Sequence, residues 1–132
     1  MQKLIGSCTH SKIAAVVACP VVDIYPQRNE VLIYGGAVHL SKEYVVDNEN
    51  NKSYGEIVEI NEHGWGEVIT NTRIKSLSQE HGIIVTTDEF ISKIKIGDII
   101  GVVPVHSCLA ANLLRDIVVI NGKFFDNGFI IN

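Results

Sequence analysis

Short apolar runs broken by turn residues recur along this 132-residue chain, and they limit the folds it can adopt. The runs are rich in valine and isoleucine, as in residues 13–25 (IAAVVACPVVDIY) and 54–60 (YGEIVEI). Branched aliphatic residues favour strands, and the glycine, proline and asparagine between the runs favour turns. With no repeat or linker in the sequence, residues 1–132 are predicted to form a single mostly β domain, a small barrel or sandwich.

Two hairpins and one helical turn stand out in this pattern. Residues 61–64 (NEHG) separate two strand-like runs, and the Asn-Gly pair at residues 121–122 separates two more, as a two-residue type I′ turn requires. Residues 31–40 (VLIYGGAVHL) are predicted to form one strand that bends at its two glycines. The only helical turn predicted in the first hundred residues spans residues 87–94 (TDEFISKI).

Composition argues against several classes of protein. The net charge is −4 and no cluster of lysine and arginine is present, which argues against a nucleic-acid partner. No segment approaches the ~20 consecutive apolar residues that span a membrane. Cys8, Cys19 and Cys108 are scattered, without the spacing of a disulfide framework, so a reducing cytoplasm is predicted. The apolar run before Cys19 is too short for a secretion signal.

A histidine and a cysteine lie two residues apart in the apolar stretch of residues 101–114 (GVVPVHSCLAANLL). In an extended segment, side chains at positions i and i+2 lie on one face, so His106 and Cys108 could converge on one point. Imidazole nitrogen and thiolate sulfur both suit Zn²⁺, and two protein ligands leave positions for water or substrate. A buried cysteine beside a histidine that is hydrogen-bonded to backbone would produce the same pattern.

A second polar cluster lies in residues 76–82 (SLSQEHG). Glu80 and His81 are adjacent, so on a strand they face opposite ways and only one can point to a given site. A carboxylate that accepts the far N–H of a ligating histidine fixes the tautomer of that histidine. Glu80 is therefore the predicted partner of His106, and His81 is the second choice. The alternative is a polar turn closed by Gly82.

Three segments together resemble the C-terminal domain of the D-serine dehydratase and D-threonine aldolase family: residues 97–114 (GDIIGVVPVHSCLAANLL), 76–82 (SLSQEHG) and 35–43 (GGAVHLSKE). These enzymes depend on pyridoxal phosphate and share the alanine racemase-like fold (fold type III). The resemblance runs over essentially the whole chain. Its most specific element follows a Gly-Asp turn and consists of Pro104, His106, Cys108, Asn112 and Leu113.

The resemblance implies a divalent metal on His106 and Cys108, beside the pyridoxal phosphate of the enzyme. The thiolate favours zinc over manganese, because soft ligands select softer metals. The resemblance also implies an N-terminal (β/α)₈ barrel that carries the cofactor lysine, and 132 residues fall short of the ~200 that such a barrel needs. No lysine here matches a cofactor-lysine motif, so no catalytic residue is predicted in this chain.

Two functions of different classes follow from these observations. In the first, the chain is the C-terminal domain of a lyase acting on a small D-β-hydroxy amino acid, and its metal binds the substrate β-oxygen. The cysteine favours a D-serine dehydratase over a D-threonine aldolase or a racemase-like enzyme. Alone, such a chain would be inactive. In the enzyme it would pack on the barrel domain, and without that domain it would expose an apolar face that promotes homo-oligomers. In the second, it is a stand-alone, non-catalytic β module that binds a partner protein.

Overall fold

The computed structural model describes residues 5–61, 64–119, 123–126 and 129–131, and β-strands predominate among them. Three α-helices are described, α1 (Ala37–Leu40), α2 (Asp88–Ile91) and α3 (Ser107–Leu114), with 3₁₀ turns at His10–Lys12 and Pro26–Arg28. The described strands are β1 (Val17–Tyr25), β2 (Glu30–Tyr34), β3 (Val45–Val46), β4 (Lys52–Ser53), β5 (Gly55–Asn61), β6 (Gly64–Leu77), β7 (His81–Val85), β8 (Ile99–Pro104), β9 (Asp116–Val119), β10 (Lys123–Asp126) and β11 (Phe129–Ile131).

Six of these strands close into a barrel in the order β1-β2-β7-β6-β5-β8. All neighbouring strands of the barrel run antiparallel, and the pairing of β1 with β8 closes it. A closed barrel has no edge strand with unpaired backbone groups. Two smaller sheets accompany it, one of β9, β10 and β11 and one of β3 and β4. The predicted mostly β fold with a small barrel is therefore confirmed.

Branched aliphatic side chains fill the barrel and alternate along its strands. Ile84 lies opposite Val31 on one neighbouring strand and opposite Ile74 on the other, and all three side chains are fully buried. Ile57 and Val102 are paired across β5 and β8 and are buried as well. This in-and-out alternation is the period of two that strands impose. Each such side chain contributes roughly 1.5–3 kcal/mol when fully buried, which makes the barrel a firm support for the groups at its end.

The two predicted hairpins involve four described strands. β5 and β6 pair with Asn61 opposite Gly64, which confirms the first hairpin. β9 and β10 pair antiparallel with Val119 opposite Lys123. The predicted Asn-Gly turn at residues 121–122 lies outside the described residues. Turn residues between β-branched runs therefore located the pair β5–β6 correctly from sequence alone.

The helical turn predicted over residues 87–94 is confirmed as α2, although it is shorter than predicted. Thr87 caps it, because the Thr87 side-chain oxygen accepts a hydrogen bond from the Phe90 backbone N–H at 3.3 Å. Phe90 is buried and anchors the turn to the core. In the part of the chain that the structure describes, no helix has the length and apolar character needed to cross a membrane.

The strand predicted over residues 31–40 is wrong in its second half, because β2 ends at Tyr34 and α1 follows. The cause is a contact from a distant part of the chain. The first two residues of α1 donate backbone N–H bonds to the carbonyl oxygens of Ser78 and Gln79, at 2.9 and 3.1 Å. These bonds satisfy donors that the first turn of a helix leaves unpaired. A local pattern cannot predict them.

Replacing Gly36 by alanine is expected to destabilise the protein, because a Cβ has no room there. An ideal Cβ would lie 2.4–2.5 Å from backbone atoms of residues 79–81, which cannot rotate away as a side chain can. We expect the free energy of unfolding to fall by about 1–3 kcal/mol, measured by urea denaturation. Gly66→Ala is the control, because a Cβ there meets nothing within 4 Å. Equal stability of the two variants would contradict the packing described.

Candidate metal centre

His106 and Cys108 lie where β8 ends and α3 begins. His106 is the N-cap residue of α3, and Cys108 is in the first turn of that helix. The extended geometry assumed from the sequence is therefore wrong, since the chain turns into a helix at Ser107. Short apolar runs are compatible with either a strand or a helix, which is why the pattern did not separate them. Both predicted ligands lie at this junction, at one end of the barrel.

The ring of His106 is hydrogen-bonded to a glutamate from another part of the chain. His106 Nδ1 lies 3.1 Å from Glu43 Oε2, and both side chains are 43% exposed. A carboxylate only accepts hydrogen bonds, so the ring nitrogen Nδ1 is the donor. Glu43 was not among the predicted site residues, and no local signal identifies it, because the two partners are 63 residues apart in sequence.

Glu80 and His81 lie beside α1, on the segment that leads from β6 into β7. Glu80 is exposed in the loop, and His81 is the first residue of β7. Hydrogen bonds of 2.8 and 3.1 Å from the Ser78 backbone N–H and hydroxyl to the His81 carbonyl close the turn. α1 is hydrogen-bonded to this loop and packs on α3. α1 thus contacts the segments that carry both predicted clusters, whereas the hydrogen bond described on the His106 ring goes to Glu43.

Aromatic rings surround the start of α1. Tyr34 lies between two imidazoles, with ring centroids 4.9 Å from His39 and 5.6 Å from His81, both edge to face. His39 Nδ1 accepts a hydrogen bond of 3.1 Å from the Gly36 N–H, which closes the first turn of the helix. His39 and His81 therefore have structural contacts of their own, and these contacts hold α1 against the barrel.

The donor atoms at this end suit a zinc-type ion. Imidazole nitrogen and cysteine sulfur are ordinary zinc ligands, and Cys108 is an exposed, free thiol. Among the residues that the structure describes, no group of three or more His, Cys, Asp or Glu side chains could hold a metal ion. A pair of ligands is fewer than the four of a closed structural site, so any ion held here would need further donors.

The other cysteines differ from Cys108 in their surroundings. Cys19 is 1% exposed in the barrel interior, and this burial raises its pKa to about 12. A thiol with so high a pKa forms almost no thiolate at neutral pH, which is the form that binds metals. Cys8 is half-buried. Of these three thiols, Cys108 is the exposed one.

The chain was compared with known protein families and with curated proteins. Residues 14–120 match the family described as "Putative serine dehydratase domain". The chain belongs to this family. A curated relative, the D-serine dehydratase of Dictyostelium discoideum, is 36% identical over 124 residues, which make up 92% of this chain and 30% of that protein. The chain thus spans about a third of the length of the relative it matches, and the resemblance predicted from its motifs is confirmed.

Solved structures show the same fold. An alanine racemase-like protein from Idiomarina loihiensis is 26% identical with a TM-score of 0.79, and the match covers 94% of this chain and 33% of that one. Structures of D-threo-3-hydroxyaspartate dehydratase, including the enzyme from Delftia sp., are 16–18% identical with TM-scores of 0.75–0.78, and they cover 95% of this chain and 33–34% of theirs. One of these has a cysteine replaced by alanine and is metal-free, and another has a histidine two positions earlier replaced by alanine.

We expect Cys108 to react with a thiol reagent in the native protein at about pH 8, whereas Cys19 reacts only after unfolding, because burial withholds its thiolate. Peptide mapping by mass spectrometry after a short exposure to iodoacetamide distinguishes the three cysteines. Cys108→Ser should remove the fast reaction and leave Cys19 protected. Rapid modification of Cys19 in the folded protein would contradict its position in the core.

Proposed function

We propose that this chain is the metal-bearing β domain of a pyridoxal-phosphate-dependent lyase of the D-serine dehydratase type. The observation that carries the proposal is the presence of His106 and Cys108 at the barrel end of a serine dehydratase family domain. The solved D-threo-3-hydroxyaspartate dehydratase variants concern a histidine and a cysteine at the same spacing, and the cysteine variant is metal-free. The identical pair of residue types in this chain supports a metal role for both.

The proposed substrate is a small D-amino acid with a hydroxyl group on Cβ. D-serine and 3-hydroxyaspartate, which name the two dehydratases similar to this chain, share that hydroxyl and differ in the group beyond it. Loss of the β-hydroxyl is therefore the reaction common to both. Cysteine as the second ligand continues to favour dehydration over the aldolase and racemase-like alternatives.

In this proposal His106 and Cys108 hold a divalent ion, preferably zinc, through an imidazole nitrogen and the thiolate sulfur. When bound, such an ion acts as a Lewis acid toward the substrate β-oxygen and eases its departure. His106 and Cys108 leave ligand positions open for that oxygen. Pyridoxal phosphate and its lysine are assigned to a (β/α)₈ barrel domain elsewhere in the longer enzyme, because no lysine here lies in a cofactor motif. The role beside the metal predicted for Glu80, with His81 as the second choice, rests on the sequence alone, and the hydrogen bond described on the His106 ring goes to Glu43 instead.

The surface near the site supports a domain partner of this kind. Tyr34, Val38 and Leu113 are 45%, 41% and 42% exposed. They lie on β2, α1 and α3, of which α1 and α3 pack on each other. Because the chain spans about a third of its relative, we propose that the barrel domain of the same enzyme covers these apolar groups. In the isolated chain the same groups would promote homo-oligomers.

Replacing either proposed ligand is expected to abolish zinc binding. His106→Ala and Cys108→Ala each leave a single donor, which holds an ion too weakly to measure against a chelator. Both should unfold at the same urea concentration as the wild type, because both side chains are at least partly exposed and the apolar core does not involve them. Cobalt substitution, followed by the absorbance of a thiolate–cobalt bond, reports the metal site directly. His10→Ala and Cys8→Ala are the controls and should bind like the wild type.

The proposal would be wrong if the His106→Ala and Cys108→Ala variants kept wild-type zinc affinity. It would also be wrong if the controls lost affinity equally, because binding would then not depend on this pair. Any unfolding caused by the ligand substitutions would appear separately, in the urea curves.

The isolated chain is expected to show no dehydratase, aldolase or racemase activity after addition of pyridoxal phosphate. Covalent catalysis through the cofactor requires a positioned lysine, and none is predicted here. The measurement is formation of the keto acid from D-serine, together with the absorbance of a Schiff base. A Schiff-base band that disappears on a single Lys→Ala substitution would overturn this expectation and place the cofactor on this chain.

A further inference from the structure

We infer that Glu43 is the positioning residue for His106: it fixes which ring nitrogen is available to the metal. The inference rests on the proposed metal role of His106. It assigns to Glu43 the orienting role that sequence reasoning gave to Glu80. The contact that carries it is the 3.1 Å hydrogen bond between His106 Nδ1 and Glu43 Oε2.

Glu43 is held in place by the turn that ends α1. The Ser41 N–H donates to the Ala37 carbonyl at 3.0 Å and closes the helix, and the Ser41 hydroxyl accepts the Glu43 N–H at 3.3 Å. Ser41 has a φ of +68°, a backbone conformation that residues with a side chain rarely adopt, and it ends the helix two residues before Glu43. Since α1 packs on α3, the segment after α1 lies near the start of the helix that His106 caps, and the Glu43 carboxylate reaches the His106 ring.

The hydrogen bond determines the chemistry of the imidazole. A neutral histidine carries one proton, and a carboxylate can only accept it, so the proton resides on Nδ1. The lone pair is then on Nε2, and that nitrogen becomes the metal donor. A carboxylate in this position also limits rotation of the ring and makes the other nitrogen a better ligand. Glu43 therefore leaves Nε2 of His106 as the nitrogen available to a metal.

The structure favours a positioning role for Glu43 over a role as a metal ligand. The described residues contain no group of three or more potential ligands, so Glu43, His106 and Cys108 are not arranged as a three-ligand site. Glu43 instead occupies the ring nitrogen opposite to the one that would bind the ion. Glu80 lies in the loop whose backbone contacts Gly36, before the first residue of α1.

The test uses the 132-residue chain with Glu43→Ala, Glu43→Gln and, as a matched control, Glu80→Ala. Two quantities are measured: zinc affinity by competition with a chromophoric chelator, and the tautomer of His106 by ¹⁵N NMR of the metal-free protein at about pH 8. We expect Glu43→Ala to lower zinc affinity by about 10–100-fold and to return His106 to the tautomer mixture of free histidine. Glu43→Gln keeps an acceptor oxygen, so its zinc affinity should lie between those of Glu43→Ala and the wild type. Glu80→Ala should match the wild type in both measurements.

The two measurements separate this inference from the proposed function. If the wild type binds no zinc, the metal role fails, and the tautomer alone decides whether Glu43 fixes the ring. An unchanged tautomer in Glu43→Ala overturns the inference, as does unchanged zinc affinity in a wild type that does bind. A loss of affinity in Glu80→Ala without one in Glu43→Ala overturns it as well, and supports the assignment made from the sequence.

Discussion

The contact of Gly36 with the backbone of residues 79–81 holds together the end of the barrel where the candidate site lies. Because glycine has no Cβ, the chain after β2 can approach the β6–β7 loop closely. The first N–H groups of α1 can then donate hydrogen bonds to carbonyl oxygens of that loop. α1 in turn packs on α3, and Glu43 extends from its end. The position of Glu43 relative to His106 therefore depends on a backbone contact made well away from either residue.

The hydrogen bond between Glu43 and His106 contributes little to folding. Both side chains are 43% exposed, and a pair with that much access to water adds very little stability. The fold is held instead by the closed antiparallel barrel and its interior of isoleucine and valine, to which neither residue belongs. The carboxylate on this partly exposed histidine is therefore better explained by the orientation that Glu43 gives to the ring, which the proposed metal role requires.

Turn residues between β-branched runs, together with the family resemblance, were enough to predict a mostly β barrel, the hairpin of β5 and β6, and the helical turn α2. They failed at α1 and at the start of α3, where the outcome depends on contacts between distant segments. The His-x-Cys pair was selected for its ligand chemistry, which stays a prediction, and the extended geometry assigned to it was wrong. Glu43 could not be predicted from the sequence, because only the packing of α1 on α3 brings it to His106.

The turn from β8 into α3 fixes the backbone that carries the two proposed donors. Val105 is buried immediately before His106, and Ala110 is buried one helical turn after it. The Ala110 N–H donates to the His106 carbonyl at 3.2 Å, so the intervening backbone is held at both ends. Such a segment presents an imidazole and a thiol from a fixed backbone while both side chains reach solvent. In the proposed enzyme this geometry supplies two firm ligands and leaves the remaining positions to substrate and water, which a closed four-ligand site could not do.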